Sequence, residues 1–335
     1  MREVLDWIER RRSRGERVAL ATVVATRRSA PRPVGSKLAV SEGGALFGSV
    51  SGGCVESDVA EQAREVIGGG APRLLSYGIA DEEAWEVGLP CGGEIDVFVE
   101  RLESELPDPE EPGVSLTVLE GERAGERRLA ARDAIEAGPS RVLELGGETV
   151  FAEVLGPPPR LLVFGAVDTA EALCRAATLL GWRTAVVDAR PGLATKERLP
   201  SAGELLVAWP GEALERLRPD ADTAVVVLTH EDRFDIPALA GALESDAFYV
   251  GALGSRRNQA RRRERLLELG VPEERIERIA GPSGLDIGAE SPAETALSIL
   301  AEILARRAGR TGGPLKKAKG RIHAAAEQQP APSPS

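Results

Sequence analysis

Residues 161–190 have the sequence LLVFGAVDTAEALCRAATLLGWRTAVVDAR, which decides the fold class of the second half of the chain. A short apolar run, a helical segment over 168–180 and a second apolar run follow one another. Further apolar runs, LLVAW, TAVVVLTH and AFYVGALGS, continue the series. Short apolar strands separated by helical segments are typical of an open parallel α/β sheet. The sequence therefore predicts an α/β protein whose parallel domain spans residues 160–307.

The first half of the chain has a different pattern. Residues 17–103 combine an apolar strand, VALATVVAT, a hairpin around Gly43-Gly44 and an alternating strand, EIDVFVE, with one amphipathic helix, ESDVAEQAREVI. Residues 114–155 contain short strand patterns that we interpret as a β-rich appendage, and GPPPR predicts a stiff linker. We expect a small α+β domain over 1–155, with its core at about 17–103. Residues 308–335 are of low complexity and are predicted to be disordered.

Composition excludes several classes of protein. The net charge of −11 argues against a nucleic-acid binder, which needs a basic face. No apolar run approaches the roughly 18 residues that cross a bilayer, and the charged N-terminus, MREVLDWIERRRSRGER, does not resemble a signal peptide. Three cysteines are too few for a disulfide framework in a chain of 335 residues. We therefore expect a cytoplasmic protein with reduced cysteines and no membrane span.

The segment GSVSGGCVESD, residues 48–58, is the strongest candidate site. Gly52 and Gly53 permit a tight turn, and Cys54 comes where a helix pattern begins. A helix N-terminus attracts anions and stabilises a thiolate, which suits a soft metal or a sulfur-bearing group. The segment predicts that bare glycine amides and the Cys54 thiol face a ligand. A plain turn with a small buried cysteine is the alternative.

Two flanking segments extend this candidate site. Upstream, RRSAPRPVGSK contains Arg32 and Lys37, which either face a phosphate or are solvated loop charges. Downstream, Cys91 precedes a second Gly-Gly turn. The cysteines do not form a CxxC motif, and four ligands at the spacing of a zinc site are absent from the sequence.

The turns after the predicted strands of the second domain supply further candidates, because α/β sheets bind ligands where strand ends meet helix N-termini. Gly165 lies in the first turn, and Asp188 ends the second strand, where an acid would meet a ribose hydroxyl. Val167 stands where a dinucleotide site has its second glycine, and Asp168 would repel a pyrophosphate. NAD(P) binding at this turn is therefore disfavoured, and we expect Asp168 to cap its helix instead.

A second glycine turn, VGALGSRRNQ, follows an apolar strand and opens an arginine-rich helix. It could cradle an anion through Gly251, Gly254, Ser255 and Arg256. The later arginines, residues 261–263, are predicted to form an exposed basic face. His230, at the end of TAVVVLTH, is either a structural hydrogen-bond partner or a metal ligand, and Asp286 lies in the last loop, GPSGLDIGAE.

Several stretches together resemble one known family. SAPRPVGSKLAV, GSVSGGCVES and CGGEIDVFVE, in this order, resemble the N-terminal domain of the XdhC/CoxI family. Its Rossmann-like C-terminal domain is resembled by VVDARPGLATKERLP, LTHEDRFDIPAL, YVGALGSRRNQARRRERL and GPSGLDIGAESPAETALSILAEI. The resemblance covers nearly everything except residues 104–145 and the tail. At positions 167 and 168, valine and aspartate replace the glycine and histidine of the family pattern.

The resemblance implies a maturation role, in which the protein binds rather than turns over its ligand. Family members are thought to bind molybdenum cofactor, as molybdopterin or its dinucleotide form. They assist its sulfuration with a cysteine desulfurase and transfer it to a xanthine dehydrogenase-type molybdenum hydroxylase. Cys54 and Cys91 match cysteines of the family, which implies that they contact the metal or sulfur of the cofactor.

Two alternatives remain open from the residues themselves. The predicted fold and Asp188 fit an NAD(P)-dependent oxidoreductase. Cys54 and Cys91, as a pair, fit a thiol redox or metal-trafficking protein. The sequence also leaves open which hydroxylase is served, which form of the cofactor is bound, and whether the chain forms a homodimer.

Overall fold

The computed structural model describes residues 2–28, 30–78, 93–136 and 138–318. Cys91, and residues 319–335 of the predicted tail 308–335, lie outside the described residues. The chain divides into two compact units: the first comprises Met1–Pro157 together with the segment from residue 315 onward, and the second comprises Pro158–Pro314. The first is built on antiparallel sheets and the second on a parallel sheet, so the predicted fold class is confirmed.

The first unit contains a five-stranded antiparallel sheet. Its strands are β1 (Val18–Arg27), β2 (Lys37–Ser41), β3 (Leu46–Gly48), β4 (Arg73–Tyr77) and β5 (Glu94–Arg101), and they lie in the order β3-β2-β1-β5-β4. The predicted hairpin is the β2–β3 pair, whose connecting turn contains Gly43 and Gly44. The central strands β1 and β2 are buried on both faces, as continuous apolar runs predict.

Two helices cover opposite faces of this sheet. Helix α1 (Arg2–Arg12) buries Val4, Trp7 and Ile8 against alternate residues of β1. Helix α2 (Glu56–Ile67) packs on the other face. Its buried residues are Val59, Ala60, Ala63, Val66 and Ile67. The i, i+4, i+7 spacing of these residues predicted this face, and the structure confirms it.

Residues 113–155 form a second, four-stranded antiparallel sheet within the first unit. Its strands are β6 (Gly113–Val118), β7 (Arg127–Ala130), β8 (Arg141–Leu145) and β9 (Glu148–Leu155), in the order β7-β6-β9-β8. Strand β7 was missed because its sequence, RRLA, has no apolar alternation. Leu119 and Phe151 pack on Phe98 and Val24 of the first sheet.

The second unit contains a six-stranded parallel sheet. Its strands are β10 (Arg160–Phe164), β11 (Arg183–Val187), β12 (Glu204–Leu206), β13 (Thr223–Val227), β14 (Tyr249–Ala252) and β15 (Ile279–Ala280). They lie in the order β12-β11-β10-β13-β14-β15, and every neighbouring pair is parallel. This is the 3-2-1-4-5-6 order of the dinucleotide-binding fold, in which ligands bind beyond the carboxyl ends of the strands.

The helices of this unit lie on both faces of the parallel sheet. They are α3 (Asp168–Leu179), α4 (Pro210–Leu217), α5 (Asp232–Glu244), α6 (Arg256–Glu268), α7 (Glu273–Ile276) and α8 (Pro292–Arg307). Helices α3 and α8 pack on one face, and the others on the opposite face. Ser291 and Glu294 form a capping box at the start of α8. In the part of the chain that the structure describes, no helix has the length and apolar character needed to cross a bilayer.

Candidate functional site

The loop of residues 49–55 joins the edge strand β3 to helix α2 and carries Cys54. Gly52 and Gly53 have φ angles of +79° and +115°, which glycine adopts most easily. Val55 is the N-cap residue of α2, so Cys54 comes directly before the helix. The Cys54 side chain is exposed, and the alternative prediction of a small buried cysteine is therefore wrong.

The amides of this loop are not bare, which corrects the prediction made for Gly52 and Gly53. The carboxylate of Glu56, the first residue of α2, lies among them. The Gly52 amide donates to its Oε1 at 3.0 Å, and the Gly53 amide donates to its Oε2 at 2.8 Å. Further donors to this carboxylate are the amides of Val50 and Ser51 and the hydroxyls of Ser49 and Ser51. The glycine amides that we predicted would face a ligand thus donate to a carboxylate of the protein itself.

The Ser51 hydroxyl connects this carboxylate to Cys54. It donates its proton to Oε2 of Glu56. Its oxygen accepts hydrogen bonds from the amides of Cys54 and Val55, both at 2.9 Å. The backbone position of Cys54 is therefore coupled to Glu56 through one buried hydroxyl.

The environment of Glu56 strongly favours its ionised form. Burial raises the pKa of this carboxyl, but the hydrogen bonds from Ser49, Ser51 and the loop amides outweigh burial and lower the pKa to about 2. Glu56 is therefore a carboxylate at neutral pH and places its negative charge at the positive end of α2. The site offers one exposed thiol on a turn that its own amides hold in shape.

Lys37 lies in a buried charge cluster of the first unit. Its Nζ is 3.0 Å from Oε2 of Glu153 and 3.3 Å from the Thr22 hydroxyl. A second buried ion pair, Arg127 with Glu100, lies close by, and burial raises the pKa of Glu100 despite these cations. The prediction that Lys37 faces a phosphate is wrong, because its ammonium group is enclosed and paired. Arg32, by contrast, is exposed.

Most candidate residues of the second unit lie at the same end of the parallel sheet, where its strands finish. Except for Gly251, which lies within β14, each lies beyond the carboxyl end of a strand: Gly165 after β10, Asp188 after β11, His230 after β13, Gly254, Ser255 and Arg256 after β14, and Asp286 after β15. His230, Arg256 and Asp286 are exposed. Within the described residues, no group of three or more His, Cys, Asp and Glu side chains could hold a metal ion.

Asp188 is buried and its carboxylate is already bound. Oδ2 accepts a hydrogen bond from the Ala166 amide at 2.9 Å, and the Arg190 guanidinium donates to Oδ1 at 2.9 Å and to Oδ2 at 2.8 Å. Burial raises the pKa of Asp188, but these hydrogen bonds lower it overall. The carboxylate predicted to meet a ribose is instead joined to the first glycine turn.

Gly165 and its neighbours in that turn also differ from the prediction. Gly165 has a φ of +117°, and a Cβ there would lie 2.6 Å from Cγ2 of Thr229, so this glycine permits close packing. Asp168 is the first residue of α3. The N-cap residue is Val167, and no side-chain hydrogen bond caps this end of the helix. The prediction that Asp168 caps the helix is therefore wrong. Its exposed carboxylate lies 3.6 Å from Arg198.

The second glycine turn has structural contacts of its own. The Ser255 hydroxyl accepts a hydrogen bond from the Asn258 amide at 3.2 Å and caps α6. Gly251 is buried within β14, where a Cβ would collide with Tyr249 and Ser283. Gly251 therefore cannot cradle an anion as predicted. Gly254, with a φ of +137°, occupies the turn itself.

Arg262 corrects the prediction of an exposed basic face on α6. It is fully buried, and its guanidinium donates to the carboxylate of Asp235 and to the carbonyl oxygens of Leu253 and Thr229. Spacing alone could not reveal this, because Arg262 lies between two other arginines. The exposed neighbours Arg261 and Arg263 pair with Asp232 and Glu273.

Glu56 and Ser51 are residues of this loop that the sequence did not single out. The available signal was an acid in the first helical turn after a glycine-rich loop, where a carboxylate readily accepts amide hydrogen bonds.

Fold and site define a class: a two-unit α/β protein with a parallel sheet of dinucleotide-fold order and an exposed cysteine on a glycine turn. A profile described as the XdhC and CoxI family matches residues 11–78, and one described as the XdhC Rossmann domain matches residues 161–303. The molybdenum cofactor insertion chaperone PaoD of Escherichia coli (strain K12) is 31% identical over 298 residues, which are 88% of this chain and 84% of that protein. The chain belongs to the XdhC and CoxI family.

Two further comparisons agree with this. A protein of Bacillus subtilis (strain 168) described as a probable subunit of xanthine dehydrogenase is 30% identical over 316 residues, covering 87% of this chain and 94% of that protein. The crystal structure of a protein described as a xanthine dehydrogenase from Bacillus halodurans has a TM-score of 0.73 at 25% identity. The matched region covers 94% of this chain and 98% of the chain in that crystal structure.

Proposed function

We propose that this chain binds molybdenum cofactor as cargo and assists its insertion into a xanthine dehydrogenase-type molybdenum hydroxylase. The cofactor is molybdopterin or its dinucleotide form, and its sulfuration involves a cysteine desulfurase. Membership of the XdhC and CoxI family supports the proposal, as does the name of PaoD, a molybdenum cofactor insertion chaperone.

The single observation that carries the proposal is the exposed Cys54 thiol on an ordered glycine turn. Thiolate sulfur is a soft ligand, whereas hard cations prefer oxygen ligands. A thiolate therefore suits molybdenum or a sulfur-bearing group. A turn already held by internal hydrogen bonds loses little conformational entropy when a ligand binds. Cys54 is thus the proposed contact for the metal or sulfur end of the cofactor.

Other residues enter the proposal as contacts to the polar parts of the cofactor. In the first unit, Arg32 is exposed and its charge suits a phosphate. In the second unit, the exposed candidates beyond the strand ends include His230, Ser255, Arg256 and Asp286. Cys91, outside the described residues, stays in the proposal as a second thiol.

Co-expression with the cofactor pathway, followed by anaerobic purification, tests this function. We expect the wild type to retain molybdenum and a fluorescent oxidised pterin. The molybdenum and pterin contents of Cys54→Ala should be at least about tenfold lower. Cys174→Ala is the matched control, because that cysteine is buried in α3 and burial raises the pKa of its thiol to about 11. Equal, negligible pterin in wild type and Cys54→Ala would contradict the proposal.

The exposed Cys54 also favours a second candidate function, thiol redox or metal trafficking with Cys91 as its partner. That function requires the two sulfurs to approach within disulfide distance. Mass spectrometry after mild oxidation decides between them: a Cys54–Cys91 disulfide in most chains supports the trafficking function. Two alkylatable thiols support the cofactor-binding function.

A further inference from the structure

We infer that Glu56 is a positioning residue, which acts through the Ser51 hydroxyl to hold Cys54 in the orientation that meets the cofactor. This inference rests on the proposed function of Cys54 and names the residue that controls its geometry. Glu56 touches no ligand in this account, because its carboxylate is enclosed by the loop.

The loop needs such an anchor because of its composition. Two consecutive glycines have more conformational freedom than any other pair of residues, and Gly52 and Gly53 are exposed. Their order therefore depends on hydrogen bonds. The amides of residues 50–53 and the hydroxyls of Ser49 and Ser51 all donate to the two oxygens of Glu56. One carboxylate thus fixes the entire turn.

Two serines separate the anchoring of the turn from the positioning of the cysteine. Each donates its hydroxyl proton to Glu56. The Ser49 oxygen accepts a hydrogen bond from the Gly52 amide at 2.8 Å, whereas the Ser51 oxygen accepts from the Cys54 and Val55 amides at 2.9 Å. Of the two serines, Ser51 is therefore the one that hydrogen-bonds both Glu56 and the Cys54 amide.

A carboxylate is required at position 56, and an amide would not replace it. Both oxygens of Glu56 accept hydrogen bonds from loop donors. A glutamine has one acceptor oxygen, and its NH₂ group would point at a donor of the loop in either orientation. Glu56→Gln is nearly isosteric, so its effect reports the loss of these hydrogen bonds rather than a change of volume.

The experiment uses the full chain co-expressed with the cofactor pathway and compares Ser51→Ala, Ser49→Ala and Glu56→Gln with the wild type. Hydrogen exchange of the amides of residues 50–55 measures the order of the loop, pterin content measures loading, and thermal unfolding verifies the fold. We expect Glu56→Gln to accelerate exchange and to lower loading about tenfold. Ser51→Ala should lower loading to a similar extent, and Ser49→Ala much less, with both serine variants folded at the temperature of the loading experiment.

The outcomes distinguish this inference from the proposed function. Normal loading of Ser51→Ala or of Glu56→Gln, beside a loaded wild type, overturns the positioning role and leaves the proposed function standing. Equal losses in Ser49→Ala and Ser51→Ala overturn it as well, because the effect would then come from the turn in general. A wild type without pterin overturns the proposed function, and the inference with it, even where exchange shows an ordered loop.

Discussion

The Nη2 atom of Arg262 lies 2.6 Å from Oδ2 of Asp235, and both side chains are enclosed by protein. The same guanidinium donates to the carbonyl oxygens of Leu253 and Thr229, which follow β14 and β13. It thus joins the two loops that carry Gly254 and His230. A buried ion pair of this kind is tolerated only where its remaining hydrogen-bonding groups are satisfied.

We predict that Arg262→Met lowers the free energy of unfolding by about 3–5 kcal/mol, because it leaves the Asp235 carboxylate buried without a counter-ion. Urea denaturation followed by tryptophan fluorescence measures this change. Arg263→Ala is the control, since the neighbouring arginine and its partner Glu273 are exposed, and it should have little effect. Equal effects of the two substitutions would show that burial of the pair is unimportant.

The buried pair between Lys37 and Glu153 leads to a second prediction. Lys37→Met should reduce the free energy of unfolding by about 3–5 kcal/mol, because two carboxylates, Glu153 and Glu100, lose a nearby cation. The double variant with Glu153→Gln should be more stable than the sum of the two single effects predicts. A double-mutant cycle in urea measures the coupling. Strict additivity would mean that the ion pair does not hold the two sheets together.

Glu56 predicts a specific dependence of stability on pH. Its pKa in the folded chain, about 2, lies below the ordinary value of 4.5. The ionised carboxylate therefore stabilises the folded state fully above about pH 4.5, and this contribution is lost as the pH falls toward about 2.

Glu56→Gln should thus be less stable than the wild type by about 2 kcal/mol at neutral pH. The difference should shrink below about pH 4.5, because the Glu56 carboxylate of the unfolded wild type becomes protonated there while that of the folded wild type stays ionised. Urea denaturation between about pH 6 and about pH 3 measures it. A difference that stays constant across this range would mean that the charge of Glu56 does not hold the loop.

Regular elements could be predicted because their signals are local. The capping box of α8 needs only Ser291 and Glu294, three residues apart, and the buried face of α2 follows from helical spacing. The strands of the parallel sheet are continuous apolar runs because both faces are covered by helices. Strand β7 shows the limit, since its sequence RRLA contains no such pattern.

The partners of charged side chains could not be predicted in the same way. Lys37 and Glu153 are far apart in sequence, and only the packing of two sheets brings them together. Arg262 lies in a run of three arginines, and nothing in that run distinguishes it from its exposed neighbours. Around Cys54 the sequence predicted the glycine turn and a thiol that faces outward. It assigned the glycine amides to an external ligand, because the prediction did not consider that Glu56 could occupy them.

The second unit has the strand order of the dinucleotide-binding fold, so binding of NAD or NADP can be tested directly. We predict that NAD and NADP do not raise the temperature of thermal unfolding, because Val167 occupies the second glycine position and Asp188 already accepts the Ala166 amide. A ligand at 100 times its dissociation constant would add about 2.7 kcal/mol to stability. A clear shift with either nucleotide would favour the oxidoreductase alternative.

Anaerobic binding of isolated molybdenum cofactor to the purified chain tests the central claim most directly. Ultrafiltration separates bound from unbound pterin for the wild type, Cys54→Ser and Cys174→Ser. We predict saturable binding by the wild type and by Cys174→Ser, and at least about tenfold weaker binding by Cys54→Ser. Absence of binding by the wild type, or equal binding by Cys54→Ser, would contradict it.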